Sequence, residues 1–266
     1  MRPILIAMIA ATLGGGAASA QQAPSPIGRT FHYERTNRDG TEPEQIYFHR
    51  AAPDRVVVYK MVERCTRSAL VTATVDPATG EATRLVAARL MPRAQAEDYA
   101  VMVFDPATGR IDATIMAADP PIKLGLSVPI RPWHLYDYDL GSLAAGLQAR
   151  PGSRADFSFG MALVWPGDTP PLIWAGEAKA RFVKAERHLD RDTLRFEVSG
   201  TAFGDKGGGP LWVDARDGHI VDVQWGRPNH DNYTEFRLRR IAEEPSGEAA
   251  WKALLTRHFE GCPPSG

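Results

Sequence analysis

Two stretches of the chain crowd together the side chains that proton-transfer chemistry uses. RPWHLYDYDL (131–140) sets His134, Asp137 and Asp139 among Trp133, Tyr136 and Tyr138; WGRPNHDNYTEF (225–236) sets His230 beside Asp231, with Arg227 close by. Imidazole titrates near neutrality and a neighbouring carboxylate can orient it, so a His–Asp pair is raw material for general acid–base catalysis. A hydrolase acting on a saccharide or an ester through His134, Asp137, His230 and Asp231 would need both stretches to converge on one cleft. The same residues also have a structural use. Asp137 or Asp139 can cap a helix that begins just after them, and the rings can fill the core around it. Asn, Pro and Asp in 225–236 are what a tight chain reversal requires.

No strong catalytic signature accompanies these pairs. The chain has no G-x-S-x-G elbow, P-loop, H-E-x-x-H or G-x-G-x-x-G. Gly207–Gly209 runs into Pro210 and a strand, without the helix N-terminus that a phosphate would want. The seven histidines (32, 49, 134, 188, 219, 230 and 258) show no i, i+4 pair, so no metal set and no cofactor is predicted. With 31 Lys+Arg against 32 Asp+Glu, nothing in the global charge would draw in nucleic acid.

The elements that must position these side chains are strands. VDPATGEATRL (75–85) recurs as FDPATGRIDATI (104–115) and, more loosely, as VDARDGHIVDV (213–223). Asp accepts from backbone N–H groups ahead of it and Gly takes the left-handed conformation, so each copy reads as a hairpin turn of one type. A calcium loop would concentrate several oxygens in one copy, and they do not. Phe157, Phe159, Met161, Leu163 and Trp165 alternate with smaller or polar residues, the period-two pattern of a half-buried strand. Similar runs throughout predict an all-β, mainly antiparallel chain: a large curved sheet or half-barrel of about a dozen strands. Helical spacing occurs twice, in a short central helix at 140–147 and a C-terminal helix at 246–259 with Ser246 as its N-cap. Residues 21–266 read as one antiparallel β domain, with the Pro-rich segment 117–132 as its one plausible seam.

The N-terminus orders Met1-Arg2, an apolar run from 3 to 13, and small residues ending Ala18-Ser19-Ala20. That sequence of features predicts a signal peptide over 1–20, cut after Ala20, and a periplasmic or secreted chain. No later apolar run is long enough to span a bilayer, so no transmembrane segment is expected after cleavage. Cys65 and Cys262 lack a C-x-x-C or a nearby histidine partner, and in an oxidising compartment they are expected to form a disulfide that ties the C-terminal helix to an early strand.

The closing phrase PLWVDARDGHIVDVQW (210–225), the D-x-x-x-G hairpins and the short central helix resemble uncharacterised envelope proteins of Gram-negative bacteria. Their sheets look like the half-barrel of periplasmic lipoprotein-carrier and lipoprotein-sorting proteins. What the resemblance implies is a non-catalytic binding or carrier protein whose concave face holds a lipid or another apolar small molecule. On that expectation Trp133, His134, Tyr136, Phe157, Phe159, Met161, Trp165 and His230 are the candidate ligand-binding residues. A structural or assembly role with an envelope protein partner is the alternative, followed by the hydrolase.

Overall fold

The repeated D-x-x-x-G words are turns of one design. In the computed structural model, which describes residues 24–166 and 168–263, the carboxylate of Asp76 accepts from the N–H of Ala78 and Thr79 at 3.0 and 2.8 Å. Asp105 accepts from Ala107 at 2.9 Å and Asp214 from Arg216 at 2.9 Å. Each turn closes with the glycine N–H on the aspartate carbonyl, and Gly80, Gly109 and Gly218 all have φ between 62° and 74°. The predicted signal peptide (1–20) lies outside the described residues.

These turns belong to a single sheet. Its first half is β1 (Thr30–Thr36), β2 (Glu44–Ala52), β3 (Arg55–Met61), β4 (Ser68–Val75), β5 (Ala82–Met91), β6 (Gln95–Asp105), β7 (Arg110–Ile115) and β8 (Ile122–Ser127). Its second half is β9 (Trp133–Leu135), β10 (Phe157–Val164), β11 (Leu172–His188), β12 (Arg191–Ser199), β13 (Gly209–Asp214), β14 (Ile220–Trp225) and β15 (Phe236–Glu244). Each strand pairs with its neighbour in sequence, except that β1 pairs with β15 and β8 does not pair with β9. All pairings are antiparallel but β9–β10. Among the described residues the sheet is therefore a meander of 15 strands whose free edges are β8 and β9. It curls until β8 lies near β11 without closing. The Pro-rich segment 117–132 contains edge strand β8 and the connection across the gap. Strands β8 and β9 account for most of the excess over the expected dozen, because the prolines that flank them (120, 121, 129 and 132) read as a seam.

In an antiparallel meander successive connections alternate between the two ends. One end carries all three D-x-x-x-G turns, and there the interior is plugged by α1 (Gly141–Gln148), of which every residue from Gly141 to Leu147 is buried. The plug fits because it is small: a Cβ on Gly80 would stand 2.1 Å from the Ser142 carbonyl oxygen, and one on Gly146 would stand 2.2 Å from that of Thr79. The expected aspartate cap is absent. Leu140 occupies the N-cap without a side-chain cap bond, and Asp139 turns elsewhere.

The second helix, α2 (Glu248–Arg257), follows Gly247 rather than Ser246 as its N-cap. It lies on the outside of the sheet, where Trp251 and Leu255 cover Tyr47, Val57, Tyr59, Leu70 and Leu90. Cys65 and Cys262 are bridged, with Cα atoms 5.5 Å apart. Cys65 sits in the connection between β3 and β4, not in a strand, and the bridge is reinforced by Cys65 N–H on His258 O (3.1 Å) and Tyr59 Oη on His258 Nδ1 (2.7 Å). Among the described residues no helix is long and apolar enough to cross a membrane.

Candidate functional site

The two halves of the sheet present different side chains to the interior. On β10, β12, β14 and β15 the inward residues are large: Phe159, Met161, Phe196, Trp225 and Phe236 are at most 2 % exposed. Across β4 to β7 several of them are small, set among Leu85, Met102 and Phe104. Val71 pairs with Ala87, Ala87 with Ala100, and Met102 with Ala113, and Ala69 continues the row. Aromatic rings meet across the interior and fill it; alanines facing one another leave space. The space is a cavity of about 470 Å³ in the half of the molecule away from the α1 plug. Val71, Leu85, Ala87, Ala100, Met102, Ile115 and Leu124 form its apolar wall.

One side of this cavity is charged. Arg35, Glu44 and Lys60 come from β1, β2 and β3; Asp137 comes from the turn after β9, and His230 and Tyr233 from the β14–β15 loop. Behind them lies Asp139, with no exposure at all. Its carboxylate is 2.7 Å from an Arg35 guanidinium nitrogen, 2.5 Å from Lys60 Nζ and 2.8 Å from Asn229 Nδ2. Burial alone would raise the Asp139 pKa, but Arg35 and Lys60 outweigh it and hold the carboxyl well below the usual range. Arg35 also pairs with Glu44 and lies 4.5 Å over the Tyr233 ring, while Lys60 donates to the Asp137 carbonyl. Losing one member of such a network would strand a buried charge, so its members hold each other in place.

Asp137 is different. Its carboxylate accepts one hydrogen bond, from Val164 N–H at 3.4 Å, and has no ion-pair partner among the described residues. Burial pushes its pKa up to about 6, with Lys60 opposing and Asp139 adding to the rise. His230 is held well below its ordinary pKa by burial and by Arg35 and Lys60, so its ring is neutral at physiological pH. The loop carrying it is pinned at three points: Asn37 Oδ1 accepts from Thr234 and Glu235 N–H (2.9 and 3.0 Å), Tyr136 Oη donates to Arg227 O (2.6 Å), and Asn229 donates to Asp139.

Of the eight residues expected to line a ligand cavity, His230 is in its wall. Trp133, His134, Tyr136, Phe159 and Met161 are instead core, each at most 1 % exposed. Phe157 packs edge-on to Phe196 beneath Arg150, and Trp165 packs against the same core from its edge. The physical reason is size: a stripe of large apolar side chains facing other large side chains closes the space it was expected to line. Nor do the two histidines converge. His134 Nδ1 bonds Ser142 Oγ at 3.0 Å in the sealed core, where burial drops its pKa to about 3. Asp231 is exposed, while Asp137 and His230 do share the cavity wall.

Arg35, Lys60 and Tyr233 were not singled out from sequence, and Glu44, in RTNRDGTEPEQ (35–45), reads from sequence as part of a solvated hairpin tip, whereas it opens β2 with its side chain largely buried against Arg35. A signal for two of them exists. In TFHYERT Arg35 is in phase with Phe31 and Tyr33, and in RVVVYKM Lys60 is in phase with Val56 and Val58. A charge in phase with a buried stripe needs a buried partner. Among the described residues no cluster of His, Cys, Asp and Glu is placed to hold a metal ion. Compared with protein-family models and with curated proteins, the chain matches none.

Proposed function

We propose that the protein is an exported, non-catalytic binding or carrier protein for one apolar or lipid-like chain. The observation that carries this reading is the cavity of about 470 Å³, walled by Ala, Val, Leu and Ile and charged on one side. Ligand sites are concave, mostly apolar and provided with a few placed polar groups, and about 300–1,000 Å³ is their usual size. The plug at one end makes the fold a cup. The bridged cysteines and the leader expected over 1–20 favour an oxidising compartment outside the cytoplasm. The resemblance to lipoprotein carriers points the same way, toward acyl-chain transport in the envelope.

The test is to purify the chain from its native compartment, extract it with organic solvent and look for a stoichiometric lipid by mass spectrometry. In parallel the stripped protein is titrated with the neutral dye N-phenyl-1-naphthylamine, whose fluorescence rises in apolar surroundings. An empty extract together with no dye uptake would overturn the reading. One observation favours the hydrolase instead: Asp137 and His230 share the wall. Turnover of a chromogenic ester or glycoside, abolished by Asp137→Asn, would decide for it.

A further inference from the structure

The charges around the cavity do not balance evenly, and the imbalance selects among amphiphiles. Arg35 is held between Asp139 and Glu44, and Lys60 between Asp139 and the Asp137 carbonyl. Both cations are thus engaged by groups of the protein. The Asp137 carboxylate is the group left over, with one long hydrogen bond and no cation of its own among the described residues. His230 also lines the cavity, and its Nε2 is buried without a partner among the described residues. Its ring adds no positive charge, since a proton there would face Arg35 and Lys60.

We infer that the cavity takes a single-chain amphiphile whose head donates hydrogen bonds and bears no negative charge, seated against the carboxylate of Asp137. This rests on the binding reading above and specifies the ligand. A carboxylate, sulfonate or phosphate head would be one more anion beside Asp137, Asp139 and Glu44, with no free cation among the described lining residues to meet it, in surroundings where little water screens the repulsion. A primary ammonium or a hydroxyl supplies the donor that Asp137 lacks. The volume fits one chain: at about 30 Å³ per carbon-sized unit, the share one water molecule takes in the liquid, 470 Å³ holds roughly fifteen units.

The experiment displaces N-phenyl-1-naphthylamine from the mature protein with dodecylamine, 1-dodecanol and dodecanesulfonate, each below its micellar concentration, at pH 7.5. Dodecylamine and dodecanol should compete at least about tenfold more tightly than the sulfonate, the ratio that corresponds to about 1.4 kcal/mol. Asp137→Asn should weaken the amine and strengthen the sulfonate. Lowering the pH to 5 should narrow the gap in the unmutated protein, which keeps the test independent of how the variant folds. The groups facing Asp137 are Lys60 from β3, Tyr99 from β6, the Val164 N–H from β10, His230 from the β14–β15 loop and Asp139 from its own turn. The Asp137 pKa, raised to about 6, lies between these two pH values; burial also raises the pKa of Glu44 on the same wall, so the change with pH is assigned to Asp137 only where Asp137→Asn removes it. Sulfonate binding as tight as amine binding, or an order unchanged by both Asp137→Asn and pH 5, overturns the inference while leaving the cavity occupied. No binding of dye or of any amphiphile overturns the binding reading with it.

Discussion

Replacing Ala87 by leucine tests whether the interior between β4 and β7 is hollow. Ala87 faces the cavity and pairs with Val71 on one side and Ala100 on the other. Leucine adds three carbons, about 90 Å³ at roughly 30 Å³ each, which is about a fifth of the 470 Å³ available. In a filled core such an insertion costs about 1–3 kcal/mol through forced rotamers and backbone shifts. In a hollow one the new carbons bury apolar surface at about 0.8 kcal/mol per methylene, up to about 2 kcal/mol of stabilisation. For a chain of this size 1 kcal/mol moves Tm by about 2–4 °C, so the ligand-free variant should melt several degrees higher than the parent. Differential scanning calorimetry of delipidated protein reads the shift, and dye titration of the same samples should show weaker uptake as the space fills. The double variant Ala87→Leu/Ala100→Leu should push both effects further. A fall in Tm of several degrees in the single variant, with dye uptake unchanged, would refute the reasoning, since it would mean that the wall is already packed and the dye binds elsewhere.

Asp137→Asn should stabilise the protein at pH 7.5 and leave it unchanged at pH 3.5. The folded pKa, about 6, lies above the unfolded value near 3.9, so stability is lost as pH rises through that window; the two-unit gap is worth roughly 3 kcal/mol at most, and urea melts at the two pH values measure it. Gly80→Ala should cost more than Gly109→Ala, although both glycines have positive φ. A Cβ at Gly80 meets the Ser142 carbonyl at 2.1 Å, whereas at Gly109 the nearest atom is 3.6 Å away, so Gly109→Ala carries only the roughly 1 kcal/mol backbone penalty and Gly80→Ala loosens the plug as well. Cys65→Ser should free a thiol at Cys262 and lower stability by about 2–4 kcal/mol. Limited trypsinolysis should then cut first at Lys252 and Arg257 in α2, while Arg240, buried in β15, stays protected.

Much of this molecule was legible in its sequence because it depends on local rules. Asp and Gly four residues apart dictate the same turn three times, since the carboxylate satisfies nearby N–H groups and only glycine enters the left-handed region cheaply. Period-two alternation set the strands, helical spacing set α1 and α2, and two cysteines without other partners indicated the bridge. Tertiary structure decided where the space lies. A stripe such as Phe157 to Trp165 reads as a lining or as a core with equal ease, because which of them it is depends on the size of the residues across the interior. Those residues are some forty to ninety positions away, in Ala69, Ala87, Ala100 and Ala113 for the hollow half and in Phe196 and Trp225 for the filled one. The charged cluster is non-local in the same way. Arg35, Lys60, Asp139 and Asn229 are far apart in the chain and meet because β1, β3, the turn before α1 and the β14–β15 loop come together at one place in the curled sheet. There, burial makes each of them depend on the others.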